Sequence, residues 1–424
     1  MTNSKNIRRV KGTIVFETFD HHDASIAKDR DAVFKALRQE CPVGHSSRHG
    51  GFWVAVSSEA VHDVLRDDKN FTVERTPDGG GGIILPAITT NPSLKPGESD
   101  GPRHSHIRRA LNPFFNRRAV EKVRPMVERI TDRALDTLTI RSEFDVVTEL
   151  GNLVPINTVL EWLGLPVEDG LAFLEAVERG YITDPEGGDV DEAVANFKKV
   201  WAETSEIIAA KQRDPGEGDD ILGTLIRHPE YDLTIDELLE ISLSVVLGGT
   251  RTTGGLIAHC LWLIGGHPEV RERLMADPSL IRATIEETMR FASPAVSLAR
   301  TAVAPTELSG HQIEAGDRVL VVYASANHDE DIFENPEMFD IDRQRAHQHV
   351  GFGYGAHRCI GEWLARLEAE VVLTKILERL PAFSIDRVRA QRTHDQGVLA
   401  LWDVMPCFTN RVPRLTDQAG VDAL

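Results

Sequence analysis

The residue in this chain best placed to do chemistry is Cys359, in the stretch 349–362, HVGFGYGAHRCIGE. Glycines at 351, 353 and 355 flank Phe352 and Tyr354, so the loop is pliable where backbone must come close and stiff where a ring must pack. An apolar run of helical spacing, 363–376, follows. A cysteine just ahead of a helix meets free N–H groups and the positive end of the dipole, and both favour a thiolate. A thiolate is a soft metal ligand, and neighbouring N–H groups can tune its donation. A lone cysteine is ordinarily a small buried hydrophobe; it is the surrounding loop that singles this one out. Two further constellations stand out. Thr252, with Arg251 beside it, lies among Gly248, Gly249, Gly254 and Gly255 in an otherwise apolar stretch. Glu287 and Arg290 are three apart, so on a helix they share a face and can pair.

Composition narrows what these residues can serve. The chain has 424 residues, 41% hydrophobic and 27% charged, which suits a large soluble globular domain. A formal net charge of −19 argues against nucleic acid or anionic membrane as the main partner. The cysteines, Cys41, Cys260, Cys359 and Cys407, form no CxxC pair, so neither a zinc site nor a redox dithiol is expected. The start, MTNSKNIRRVKG, lacks the apolar core of a secretory signal, and the most apolar stretch, 241–266, carries Arg251 and His259. A reduced, cytoplasmic protein without a membrane anchor is the expectation. No GxGxxG, P-loop or HExxH is present, so no nicotinamide or flavin domain is expected.

The positioning elements read as mainly helical with small sheets. A polar lead-in is expected over 1–24 and a single domain over 25–424. Helices are expected over 31–39, 57–65, 101–136, 144–163, 166–181, 190–211, 268–276, 279–292 and 363–380, with strands at 52–56 and within 302–324. The 76–101 stretch, with GGGG at 79–82, reads as a long functional or mobile loop. The central element is a helix over 234–266, opened by a capping box of Thr234 and Glu237 and apolar nearly all round. Its glycines are poor helix formers, and the Thr252 hydroxyl can bond the Gly248 carbonyl. A groove widened at that point accounts for all of them; close packing accounts for some. Arg108, Arg109, Arg117, Arg118, Lys122 and Arg124 form a basic cluster that can steer an acidic partner.

The segment from Phe352 to Gly361 matches the cytochrome P-450 haem signature FxxGxHxCxG at every fixed position. Glu287, Arg290 and Pro294 resemble that family's ExxR helix and the proline after it. Asn327-His328-Asp329, Pro336, Phe339-Asp340 and Arg343 resemble the approach to its haem loop. Gly248 to Thr253 resembles its oxygen-binding helix. Asp100, Pro102, His104 and Arg108 resemble its DPPxHxxxR segment, with Gly101 in place of the first proline. The resemblance runs from about residue 30 to 410 and implies the P-450 fold, with haem b between the central helix and the cysteine-loop helix. It implies that Cys359 is the axial ligand to iron, a thiolate that favours O–O cleavage. Phe352, Gly353 and Gly361 would shape its loop, and His104, Arg108, Arg300 and His357 would hold the haem propionates. Glu287 and Arg290, with Arg343, would be a structural network, and Thr252 would serve oxygen binding and proton supply. Val246, Leu247, Gly248, Val296, Ser297, Leu298 and Val398 would line the substrate space, under a lid of the 76–101 loop and the helices of 166–211.

The resemblance breaks at Arg251, where the family usually has an acid that assists proton supply. Three readings follow. Arg251 can turn away from the iron and pair with an acid of the overlying helices, such as Glu175 or Glu178, since adjacent helix residues point about 100° apart. It can anchor a substrate carboxylate, as in fatty-acid peroxygenases of the family, although those follow the arginine with proline and lack the threonine. Or oxygen activation is poorly coupled. The implied activity is a soluble monooxygenase acting on a largely apolar small molecule. Its electrons would come from a ferredoxin, reduced by a ferredoxin reductase, docking over Arg108, Arg109, Arg117, Arg118, Lys122 and Arg366. The alternatives are a peroxide-driven hydroxylase of a carboxylic acid anchored by Arg251 and a non-catalytic haem-binding sensor.

Overall fold

The computed structural model describes residues 7–10, 13–16, 19–76, 79–87, 93–181, 190–394 and 397–409. The connection at 182–189, like parts of the 76–101 stretch, lies outside them. The architecture is mainly helical with small sheets. Its axis is one unbroken helix, Ile235–Gly266. The expected capping box starts it: Thr234 Oγ1 accepts from Glu237 N–H at 3.2 Å, and Glu237 Oε2 accepts from Thr234 N–H at 3.0 Å. Being apolar nearly all round, this helix is enclosed over most of its length. It packs against the helices Leu153–Leu163, Val190–Arg213, Ile281–Phe291 and Glu362–Arg379 within the largest hydrophobic core.

Its glycines serve packing rather than a widened groove. A Cβ at Gly254 would collide with Asn152 and the Gly151 backbone, one at Gly255 would meet Leu401 at 2.5 Å, and one at Gly249 would meet Val159 at 3.0 Å. Only Gly248 faces open space, with nothing within 4 Å of a built Cβ. The hydrogen bond from Thr252 Oγ1 to the Gly248 carbonyl forms, at 2.6 Å, without interrupting the helix.

The Gly151–Gly254 approach also explains why 144–163 is not one helix. Strand Glu143–Asp145 pairs with Pro406–Phe408, a π-helical turn spans Val147–Gly151, and the helix proper is Leu153–Leu163. Asp145 ends the strand by accepting from Thr148 N–H at 3.0 Å and Met405 N–H at 2.6 Å.

The largest sheet runs in the order Ile7–Val10, Thr13–Phe16, Val43–Ser46, Phe52–Ala55, Arg318–Val322, Ser297–Ala302, Phe71–Thr72. Its first two strands fall in the expected lead-in, which is therefore partly built into the sheet: Thr13–Phe16 lies parallel to Val43–Ser46, and Phe19 and His21 are buried. The run TIVF at 13–16 was an available signal, but strands of four residues carry little alternating pattern. In the interior of the sheet, Arg318–Val322 lies antiparallel to Ser297–Ala302 and parallel to Phe52–Ala55. Alternate residues of these strands face two separate cores, which decides where the pocket candidates point.

Candidate active site

The cysteine loop is closed by its own backbone. Gly353 N–H donates to the Val350 carbonyl at 2.7 Å, and Cys359 N–H donates to the Phe352 carbonyl at 2.8 Å. Gly355, at φ 72°, lies so close to the Leu65 backbone that no Cβ fits. Val350 N–H is held by Asn327 Oδ1 at 2.7 Å, which ties the loop to the segment Asn327–Asp329. Cys359 has accessible surface, yet enough protein surrounds it that burial pushes its thiol up. The Gly361 N–H, Arg108 and Arg366 pull the other way. The expected helix-end stabilisation of the thiolate is thus present but outweighed in the protein alone.

Below the loop, Arg366 does something sequence did not suggest. Its guanidinium lies 4.3 Å from the Phe352 ring and 5.2 Å from that of Trp363. It pairs with Glu286 at 2.5 Å and with Glu362 at 2.8 Å. His349, fully enclosed, lies 3.3 Å from the other Glu286 oxygen. Against the cost of burial, His349 and Arg366 hold the Glu286 carboxyl down at about 2. Arg366 is therefore a buttress of the cysteine loop and not a surface contact. The Glu362–Arg366 spacing of a helical ion pair was the available signal.

Three of the four expected propionate partners come together. The His104 and His357 rings lie 4.3 Å apart, and His357 Nε2 bonds Asp100 Oδ1 at 2.8 Å. Asp100 is further held by Thr72 and by Val73 N–H at 3.0 Å. Burial, His357 and Arg108 push His104 down to about 4. Arg108 donates to the Arg358 carbonyl at 3.0 Å, and its charge acts on both His104 and Cys359. Arg300 stands on strand Ser297–Ala302, buried, donating to the Ala299 carbonyl at 2.9 Å and bonded to Tyr323.

The Glu287–Arg290 pair is fully buried. Two parallel hydrogen bonds of 2.9 and 2.8 Å join them, and Arg343 Nε adds two more at 3.1 Å. Arg290 also donates to the carbonyls of Asn327, Pro336 and Met338, and so ties the 327–343 segment to this helix.

On the opposite side, Arg251 Nε pairs with Glu178 at 2.9 Å, linking the central helix to Gly170–Tyr181. Burial pushes the Glu178 carboxyl up to about 7; Arg251 lowers it and Glu175 raises it. Of the expected lining residues, Leu247, Gly248, Leu298 and Val398 keep accessible surface. Val246, Val296 and Ser297 do not and belong elsewhere. Val246 is packed in the main core. Val296 joins the core of Phe34, Phe52 and Leu320, and the Ser297 hydroxyl bonds the Gly397 carbonyl at 2.6 Å. Leu298 lies on the other face of the sheet from Ser297 and packs against the core that holds Val321 and Val350, whereas Val296 precedes the strand's first residue.

The family model described as cytochrome P450 matches residues 188–401. The chain belongs to the cytochrome P450 family. It is 35% identical over 371 residues to a protein named cytochrome P450 monooxygenase PikC, of Streptomyces venezuelae, covering 85% of this chain and 86% of that one. It is 32% identical over 400 residues to a protein named steroid C26-monooxygenase, of Rhodococcus jostii, covering 87% and 80%. The crystal structure of the cytochrome P450 enzyme CYP109B1 from Bacillus subtilis superposes with a TM-score of 0.77 at 27% identity, over 90% of this chain and 100% of that one. The protein is thus a P450 monooxygenase, an oxygen-inserting oxidoreductase, with haem b as cofactor. Among the described residues no helix is long and apolar enough to cross a membrane.

The site fits that group. A soft donor, Cys359, is exposed at the end of a closed loop, two histidines and Arg108 form a group that would meet carboxylates, and Gly248 leaves open space on the central helix.

Proposed function

We propose that this P450 inserts one oxygen atom into a largely apolar small molecule, using electrons from a ferredoxin. The observation that carries the reading is the Cys359 loop with His104, His357 and Arg108 gathered beside it. Cys359 would hold the iron, with Phe352, Gly353 and Gly361 shaping its loop. His104, Arg108, Arg300 and His357 would hold the propionates, and Glu287 and Arg290 would brace the site. Bound haem supplies the oxygen-activating chemistry. The chain's own work is to fix the haem, exclude water and move protons. Thr252, whose hydroxyl is already oriented by the Gly248 carbonyl, is the proton-handling group nearest the open turn of the central helix. Arg251 takes the first of its three roles, since Glu178 already engages it. That pairing speaks against a substrate-carboxylate anchor and therefore against the peroxide-driven alternative, and the intact Thr252 speaks against a sensor.

Leu247, Gly248, Leu298 and Val398 favour an apolar substrate, as does a relative named for steroids. The donor surface is a shallow depression lined by Arg117, Arg118, Glu121, Lys122 and Arg282, with Arg109 exposed nearby. Such a face suits a small acidic ferredoxin, reduced in turn by a cytoplasmic ferredoxin reductase. Arg366 drops out of that surface, being paired beneath it.

On addition of carbon monoxide the reduced protein should give the red-shifted Soret band of a thiolate-ligated ferrous carbonyl, and Cys359→His should lose it. Turnover with ferredoxin, reductase and NADH but not with peroxide separates the two enzyme readings. Turnover by peroxide alone would overturn the electron-transfer part. A screen of steroids, terpenes, aromatics and fatty acids for substrate-induced spin-state shift tests the substrate class, and tight binding confined to fatty acids would overturn it.

A further inference from the structure

Away from the haem site, Asp20, His21 and His49 each offer one ligand atom, and the three atoms lie within 4.8 Å of one another. The first two come from the segment after the N-terminal strands. The third comes from the turn between Val43–Ser46 and Phe52–Ala55. His49 Nε2 lies 2.9 Å from Asp20 Oδ1, and its backbone sits at φ 51°, a left-handed conformation few non-glycine residues adopt.

His21 supplies the independent observation. It is 5% exposed, and its Nε2 lies 2.9 Å from the Leu85 carbonyl oxygen. A carbonyl only accepts, so Nε2 carries the proton and the neutral ring has a lone pair on Nδ1. Nδ1 is buried and has no hydrogen-bond partner. Burying such a group unpaired is costly. It is also how a histidine is set when one nitrogen orients the ring and the other takes a cation. The next residue repeats the orientation: His22 Nε2 lies 2.7 Å from the same carbonyl, and its ring is 3.9 Å from that of His21.

We propose that Asp20, His21 and His49 bind one divalent cation of the imidazole-preferring class, represented by Zn²⁺, with water completing the coordination. Two imidazoles and a carboxylate suit such an ion, whereas Mg²⁺ and Ca²⁺ seek oxygen ligands. The site is independent of the haem reading. It ties the N-terminal segment to the Arg48–Gly50 turn. Through the Leu85 carbonyl it reaches the 76–101 loop, so an ion there stiffens one edge of the expected lid.

The test uses tag-free holoenzyme freed of adventitious metal by a chelator, its Soret band unchanged, titrated calorimetrically with Zn²⁺ and separately with Mg²⁺. A single equivalent of Zn²⁺ should bind with a rise in melting temperature, and Mg²⁺ should not bind. Asp20→Asn and His49→Asn should each weaken Zn²⁺ binding at least about tenfold and abolish the melting shift. His49 lies in an exposed turn where Asn tolerates the left-handed backbone, so that variant keeps the fold, as its Soret band will report. Equal Zn²⁺ affinity in wild type and both variants, or no saturable binding to the wild type, overturns the proposal.

Discussion

Two arginine–glutamate pairs bracket the site, and they are built to opposite specifications. Arg290–Glu287 has no exposed surface on either side chain, two parallel hydrogen bonds, a second arginine on the same carboxylate and three backbone carbonyls as further acceptors. Arg251–Glu178 is a single 2.9 Å contact, with side chains 25% and 19% exposed. A buried charge pair with every lone pair used is fixed, because removing one partner strands the other in a dry interior. A half-wet single contact forms and breaks at little cost. The first pair holds the segment that leads into the cysteine loop; the second joins the central helix to a helix of the expected lid. One is built to hold and the other to let go.

The largest effect should come from breaking the fixed pair. Glu287→Gln should cost about 3–5 kcal/mol, since both Arg290 and Arg343 lose their anion in a buried site. Haem content after purification and the melting temperature check this, and a variant that holds haem and melts like wild type would end the distinction. Next is Arg366→Ala, which strips Glu286 and Glu362 of their partner and Phe352 of its cation. A loss of about 1.5–3 kcal/mol is expected, together with a shifted Soret band, because the buttress lies directly under the cysteine loop.

Smaller still is Arg251→Ala, at about 0–1 kcal/mol of stability. Its effect should show instead in faster substrate exchange at the spin-state transition, measured by stopped flow. The sign of its pH dependence follows from Glu178, whose carboxyl is raised by burial from 4.5 to about 7. Between those values the folded protein holds a proton that the unfolded chain releases. Stability from this group is therefore greatest below 4.5 and declines as pH rises through about 7. Glu178→Gln should flatten that slope in melting curves taken across the window. A slope unchanged in Glu178→Gln would place the titrating group elsewhere.

How much could be read beforehand depended on how local each feature is. The capping box of Thr234 and Glu237, the Glu287–Arg290 spacing and the cysteine loop are each set by neighbours within a few residues, and all formed as read. Arg251 was legible only as a departure; Glu178 was one of two acids that could answer it, and the packing of two helices chose it. Ser297 and Leu298 are adjacent on one strand and so face opposite sides of the sheet, and Val296 lies just ahead of that strand, so a sequence pattern alone does not say which of the three reaches the pocket. The N-terminal strands were missed because their stability comes from a sheet assembled out of distant segments. A positive residue in a basic neighbourhood reads as solvated, and only the fold brings the carboxylates of Glu286 and Glu362 to Arg366.

The glycines of the central helix carry a last consequence, for anyone who would alter the enzyme. Gly254 meets another backbone directly, so its letter cannot be changed without moving two helices apart. Gly248, six residues earlier, has open space where a Cβ would sit. Alanine there gains helix propensity of about 1 kcal/mol and would take a methyl's worth of room from the proposed substrate space. A mutational library should find position 254 intolerant and position 248 a dial: the first sets whether the protein folds, the second, on the proposed reading, what it will accept.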